Sequence, residues 1–466
     1  MAPERDPLLL ARRALEGRPA WLVGGAVRDR LLGRQTLDLD VVVEGPVAPA
    51  AKALGRAGRA AAFPLSDTFG GWRVVARDRG WQVDVLPVNG RSIEDDLAAR
   101  DFTVNAIAEP LAGGEPIDPF GGREDLAAGR LRMVSADGFA ADPLRVLRAA
   151  RLACELRLEP DLDTRAAAGA QAPALRRVSP ERVFAELKRV VIAPEALRGL
   201  AEMDRLGVTP VVLPELDALR GIEQSAYHHL DVYEHTLAVF EQAMAIQRDP
   251  EPVFGPQAAE VAALLAQPLA DELDRGGALR FGALLHDAAK PATRQVTAEG
   301  RVTFIGHDRV GAELAREVLG RLRASERLRS HVAALTLHHL RLGFLVHQQP
   351  IDRRAIYEYL TATQPVAADV TVLSVADRLA TRGRKADEAI AKHVELARRM
   401  LVEAVRFERE RPAPLVRGDE LAAELGIAPG PELGRLLAEL AEAQFAGEVT
   451  TRDEALRFAR TLARCS

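Results

Sequence analysis

Apolar positions change their spacing once along the chain. Up to about residue 136 they come in short runs bounded by glycine or acidic residues. Residues 19–25 (PAWLVGG) read as a strand ending in two glycines, 26–33 (AVRDRLLG) as a helix start, and 37–44 (LDLDVVVE) as a second strand with acidic residues at its head. Residues 72–77 and 81–88 read as two further strands, a hairpin around Asp78 and Gly80. From about Asp137 the spacing is helical, as in DPLRVLRAARLACEL and SPERVFAELKRVVI. The second of these has Ser179 as N-cap and Pro180 at the first helical position. A turn at VVLPELDALRG marks a boundary near 220, and a last helical segment starts near Gly418. The pattern predicts an α+β protein: a mixed-sheet head over 1–136, then all-α segments over 137–220, 221–385 and 386–466.

Length and composition narrow the possibilities. A chain of 466 residues exceeds one compact core. Its 62 Lys and Arg against 67 Asp and Glu give −5, which excludes a uniformly basic coat but not a local basic groove. Two cysteines, Cys154 and Cys465, exclude a disulfide scaffold and a Cys-rich zinc site. No apolar run is long enough to span a bilayer, and the first residues lack a signal-peptide cleavage pattern, so a soluble cytoplasmic location is expected. Aromatic residues are only 5%, which argues against broad aromatic platforms for bases.

The head carries one set of chemical groups. Asp38 and Asp40 sit at i and i+2 on a strand, so both carboxylates face the same side. Such a pair suits Mg²⁺, a hard cation that prefers oxygen and bridges phosphates. Gly24 and Gly25 lie between a strand and a helix, where backbone N–H groups can approach a phosphate, and Arg28 follows on the first turn. Asp84 on a neighbouring strand is a candidate third carboxylate. Further on, Asp142, Arg145 and Arg148 are spaced to share one helix face. A carboxylate and a guanidinium together match the Watson–Crick edge of C or A, each of which offers an amine beside a ring acceptor.

VGGAVRDRLLG, LDLDVVV, ARDFTVNAIA, DPFGGREDLAAGRLRMV, DPLRVLRAARLACEL and SPERVFAELKRVV, in that order, resemble the class II tRNA CCA-adding enzyme and poly(A) polymerase family, which has a DNA polymerase beta-like head. The resemblance covers about the first 220 residues. It implies metal binding by Asp38 and Asp40, and nucleotide contact by Gly25 and Arg28. It also implies nucleotide binding by Arg100 and Asp101, with Asp101 at the ribose and Asn105 in support, and base reading by Asp142 and Arg145, with Arg148 one turn on. Two departures stand out. Ala141 replaces the family's Glu, and the tract VDVLPVNGRSIEDDLAARDF lacks the longer loop that helps full CCA-adding members switch from C to A. CC, A and complete CCA addition all stay open.

Residues 221–385 hold nine of the ten histidines. His235, His286-Asp287, His307, His338-His339 and Asp377 form a series whose imidazoles and carboxylates suit a divalent metal. The order resembles the HD phosphohydrolase superfamily. That resemblance implies one metal (Mg²⁺, Mn²⁺, Ni²⁺ or Fe²⁺) on His235, His286, Asp287 and Asp377. It implies a second on His307 and His338, with His339 as the alternative, and a phosphate contact from Lys290. His228, His229, His331, His347 and His393 read as surface or structural residues.

The implied partners are tRNA with ATP, CTP or both. Candidate phosphate contacts are Arg176, Arg177, Arg182, Lys188, Arg189, Arg382, Arg384 and Lys385, and the segment from 415 resembles the family's tRNA-holding tail. The expected activity is tRNA 3′-end nucleotidyl transfer with pyrophosphate release and an added phosphohydrolase. The rivals are a poly(A) polymerase, and an HD phosphohydrolase whose first half only binds RNA.

Overall fold

A computed structural model describes residues 6–65, 70–224, 230–348, 350–381, 386–410 and 413–464. His228, His229, Arg382, Arg384, Lys385 and Cys465 lie outside the described residues. The chain forms two compact units, 1–212 and 213–466. The first takes in the head and the helices after it up to Val212; the break falls at 212/213 rather than near 220, so the Pro214–Asp217 turn of helix belongs to the second unit.

The first unit is built on a six-stranded sheet of β1 (Ala20–Val23), β2 (Asp38–Val43), β3 (Ala61–Pro64), β4 (Trp72–Val75), β5 (Gln82–Pro87) and β6 (Ala108–Pro110). The spatial order is β3-β4-β5-β2-β1-β6. Only β2 and β5 run parallel; the other neighbours are antiparallel. The hairpin expected around Asp78 and Gly80 joins β4 to β5, with the Gly80 N–H donating to Asp78.

Alternation along β2 decides where the chemistry sits. Leu39, Val41 and Val43 point into a core with Leu22, Leu54, Val83 and Val85. Asp38, Asp40 and Val42 therefore take the other face, where Val42 packs with Val23, Ile93 and Leu97. The two faces separate an apolar interior from the acidic pair by one residue of register.

The helices of the first unit include Leu144–Leu156 and Pro180–Ile192, the latter with Ser179 at its N-cap position but no side-chain cap bond. The second unit is helical apart from two small two-stranded pieces among its described residues. Its central helices are Val232–Arg248, Arg275–Leu285, His307–Arg321, Glu326–His338 and Ala367–Ala380. Val232–Arg248 starts with a capping box between Asp231 and Glu234, which fixes the turn carrying His235. The last stretch has its own small core around Leu421, Leu436, Ala443 and Ala459. None of the described helices is long and apolar enough to cross a membrane.

Candidate functional site

The first unit opens a cleft of about 600 Å³ beside Asp38 and Asp40. Gly24, Gly25, Arg28, Arg100, Asp101, Asn105, Asp142, Arg145 and Arg148 all line it, so this structure brings together every metal or nucleotide candidate of the first unit except Asp84. Gly24 is needed as glycine. Its φ is +68°, and a Cβ there would meet Arg100 Nη1 at 2.7 Å and Asp40 Oδ2 at 3.7 Å. Asp40 pairs in register with Val23 of β1 and with Asp84 of β5. Both Asp84 oxygens accept from Arg73, at 2.7 Å each, so Asp84 acts on its neighbour chiefly as a charge. Burial pushes the Asp40 carboxyl up to about 6; Arg100 opposes this, while Asp84 and Asp38 add to it.

A second layer holds the nucleotide candidates. Arg28 Nη1 donates to Asn105 Oδ1 at 2.6 Å, and Asn105 Nδ2 donates to Asp101 Oδ1 at 3.0 Å. Arg148 Nη2 lies 2.6 Å from Asp101 Oδ2. Burial alone would favour the neutral acid, yet Arg148 and the Asn105 and Phe102 hydrogen bonds hold the Asp101 carboxyl below the usual carboxylate range. Arg151 and Arg189 also line the cleft, which deepens its positive wall. Arg189 figured in the sequence as an RNA contact; Arg151 gave no separate signal, because a buried arginine paired with Glu186 looks like any helical arginine.

Asp142 departs from the expected geometry. It is not on the helix with Arg145 and Arg148 but in extended backbone (φ −138°, ψ 93°) before it. Pro143 is the reason, since the residue before proline is driven out of the helical region. Asp142 instead accepts from Leu144 N–H at 3.3 Å and from Arg182 at 2.8 Å. Arg145 is tied to the carbonyls of Ala99 (2.7 Å) and Arg100 (3.1 Å). The two side chains still share the cleft, each held from a different side.

The second unit gathers the histidines. His235, His286 and Asp287 form one buried triad of ligand atoms, and Asp287, His307 and His339 a second, each within 4.8 Å. Asp287 is common to both. Asp377 Oδ1 lies 3.0 Å from His235 Nε2, and Lys290 Nζ 2.7 Å from Asp287 Oδ2. Of the histidine pair, His339 takes the place expected of His338. His338 ends its helix and accepts from Arg341 at 3.0 Å, whereas His339 Nε2 sits 3.3 Å from His307 Nε2. One residue at a helix end is a rotation of about 100°, which turns one ring inward and the other away.

Nδ1 of His286, His307 and His339 lies 2.6–2.9 Å from the carbonyls of Ala283, Phe304 and Thr336. Donation there leaves Nε2 as the lone pair facing the centre, the arrangement typical of metal-ligating imidazole. Burial, with His286 and His307 adding, lowers the His339 pKa to about 4 and keeps it neutral. Burial opposes ionisation of Asp287, but His286 and Lys290 hold its carboxyl well below the usual range. Buried His286 Nε2 faces Asp287 Oδ2 at 3.2 Å. This donor set fits divalent cations. Ser374, Arg378 and His393 also wall the cavity, and His393 is buried against Ser374 Oγ at 3.1 Å. His331 stands apart, 3.6 Å from Asp369.

A mixed sheet with an acidic edge and an arginine-lined cleft, joined to a helical unit with a histidine–aspartate centre, defines a nucleotidyltransferase with an appended HD domain. Family models agree: the poly A polymerase head domain matches residues 20–76 and 77–132, the probable RNA and SrmB-binding site of polymerase A matches 157–220, and the HD domain matches 232–382. The chain is 38% identical to the A-adding tRNA nucleotidyltransferase of Deinococcus radiodurans, over 94% of each chain. It is 37% identical to the CC-adding tRNA nucleotidyltransferase of Thermus thermophilus, over 94% of this chain and 92% of the other. In fold it matches a Thermotoga maritima CCA-adding enzyme solved with tRNA, at TM-score 0.61 and 21% identity, over 97% and 95% of the two chains. The chain belongs to the tRNA nucleotidyltransferase and poly(A) polymerase family.

Proposed function

We propose that this chain adds CMP to the 3′ end of tRNA, making the CC part of the terminus. The single cleft joining Asp38 and Asp40 to Arg28, Asp101, Asp142 and Arg145 carries the transferase reading. The short connection between β5 and the helix Ile93–Ala98, residues 88–92, favours CC addition, because it leaves no room for a long switching loop. A second reading, addition of A alone, is favoured by the identity to the A-adding relative.

Asp38 and Asp40 are the carboxylates that would hold Mg²⁺. Bound there, the cation lowers the charge of the triphosphate and of the leaving pyrophosphate. Arg28 and Arg100 would bind phosphate oxygens. Asp101, kept ionised by Arg148 and Asn105, would accept from a ribose hydroxyl. Asp142 and Arg145 would select the base by its amine and ring acceptor. In the second unit, His235, His286, Asp287 and Asp377 would hold one divalent cation and His307 and His339, with Asp287 shared, a second. Lys290 would meet the phosphate of an ester substrate. Single-turnover extension of a tRNA lacking its CCA end tests the reading, with CTP, ATP and both supplied. Ends that stop at CC with both nucleotides present support it. A added only to CC-ended tRNA selects the second reading, and complete CCA or long A tails overturn both.

A further inference from the structure

Glu186, on the helix Pro180–Ile192, is a buried carboxylate behind the cleft of the first unit. It faces two arginines that line the cleft, Arg148 and Arg151. Its Oε2 accepts from Arg151 Nε, and Arg151 Nη1 donates in turn to Glu155 at 2.7 Å. Glu186 is thus held from behind. Its Oε1 stands 3.7 Å from Arg148 Nη1, an ion pair longer than a hydrogen bond.

Asp101, on the other side of Arg148, is crowded. Its Oδ1 accepts from the Phe102 N–H at 2.8 Å and from Asn105 Nδ2 at 3.0 Å. Its Oδ2 accepts from Arg148 Nε at 2.8 Å and lies 2.6 Å from Arg148 Nη2. An ionised carboxylate has about four acceptor positions, and four nitrogens already surround this one. A ribose hydroxyl enters only where one of these partners gives way. Phe102 donates from the backbone, and Asn105 is itself held by Arg28 at 2.6 Å. Arg148 is the partner that can turn: its side chain is 33% exposed, and a second carboxylate is already beside it.

We propose that Glu186 is a positioning residue for ribose recognition: when a ribose hydroxyl takes a place on Asp101 Oδ2, the Arg148 guanidinium turns onto Glu186 Oε1. The proposal rests on the assignment of the ribose to Asp101 and names the residue that makes room for it. With a carboxylate on each side, the Arg148 charge keeps a partner throughout the turn. Without the charge at position 186, leaving Asp101 costs Arg148 its ion pair, so the hydroxyl competes with the full Arg148–Asp101 contact. A nucleotide that lacks the hydroxyl asks nothing of Arg148 and is indifferent to Glu186.

The test uses the full chain. Calorimetry with Mg²⁺ present and tRNA absent measures binding of CTP and ATP and of their 2′-deoxy and 3′-deoxy forms. Steady-state extension of tRNA gives KM and kcat for the ribonucleotides. Glu186→Gln is expected to weaken binding of the preferred ribonucleotide about ten-fold and to leave the deoxy form that lacks the Asp101 partner unchanged. The loss is expected in KM, with kcat little changed. Glu186→Asp keeps the charge but draws it back by one methylene. It is expected to show a smaller loss with the same selectivity, and it decides the matter if Glu186→Gln does not fold. An unchanged ratio of ribonucleotide to deoxynucleotide affinity, or an equal fall for both forms, overturns the proposal. Asp101→Asn separates the underlying assignment. A ratio that this variant leaves unchanged removes the ribose from Asp101 and the role of Glu186 with it. A ratio lost in Asp101→Asn but kept in Glu186→Gln overturns the role of Glu186 alone.

Discussion

Asp40 serves two opposed demands. Burial beside Asp84 and Asp38 makes its charge costly, yet the proposed cation binding needs that charge. Its carboxyl titrates near 6 in the folded chain, against about 4 in an unfolded one. A raised acid favours the folded state most below about pH 4, loses that advantage between about 4 and 6, and is level above. Asp40→Asn is therefore expected to stabilise the metal-free protein at pH 8 by on the order of 1–2 kcal/mol, read by thermal unfolding. The same variant is expected to lose nucleotide incorporation by at least about 10³-fold. In the unaltered protein, Mg²⁺ affinity measured by calorimetry is expected to weaken as pH falls below 6. The histidine pair carries a second residue-scale prediction. His339→Ala should lower the bound-metal count of the second unit, and His338→Ala should leave it unchanged, as measured by elemental analysis. The order of histidines and aspartates was readable in the sequence, but the choice within His338-His339 was not, because it depends on where the helix Glu326–His338 ends.

At the scale of elements, strand alternation was the more readable signal and helix phase the less. Asp38 and Asp40 share a face because β2 alternates, and any reading of LDLDVVV as a strand forces that result. Asp142, Arg145 and Arg148 look like one helix face only if the helix runs through Pro143, and it starts at Leu144. The Arg73–Asp84 pair was hidden for a related reason: it depends on the register of β4 on β5, which the sequence leaves open. The consequence is that Asp142 is oriented by Leu144 N–H and Arg182, while Arg145 is anchored on the carbonyls that end the helix Ile93–Ala98. Arg145→Ala is expected to raise the KM for the preferred nucleotide about ten-fold or more and to narrow the CTP-to-ATP ratio of kcat/KM by a similar factor. Steady-state extension with each nucleotide alone measures both. A uniform fall in kcat with the ratio preserved would remove Arg145 from base selection.

At the scale of the whole chain, each compact unit holds its own set of candidate site residues. The cleft beside Asp38 and Asp40 draws its lining only from the first unit, and the histidine cavity draws its lining only from the second. Among the described residues none lines both, so the two candidate sites are expected to act independently. Asp38→Ala removes one of the two carboxylates of β2 without touching the second unit, and Asp38 is exposed enough that the sheet keeps its core. Asp287→Asn keeps the shape of the shared ligand but removes the charge that His286, His307 and Lys290 surround. The expected outcome is a double dissociation in the full-length protein. Asp38→Ala loses CMP or AMP incorporation into tRNA and keeps metal-dependent phosphate release from adenosine 3′-monophosphate. Asp287→Asn loses phosphate release and keeps incorporation. Loss of incorporation in Asp287→Asn, with its unfolding temperature unchanged, would mean that the histidine–aspartate centre acts on the transfer reaction itself. Incorporation surviving Asp38→Ala would instead move nucleotidyl transfer away from the acidic edge of the sheet.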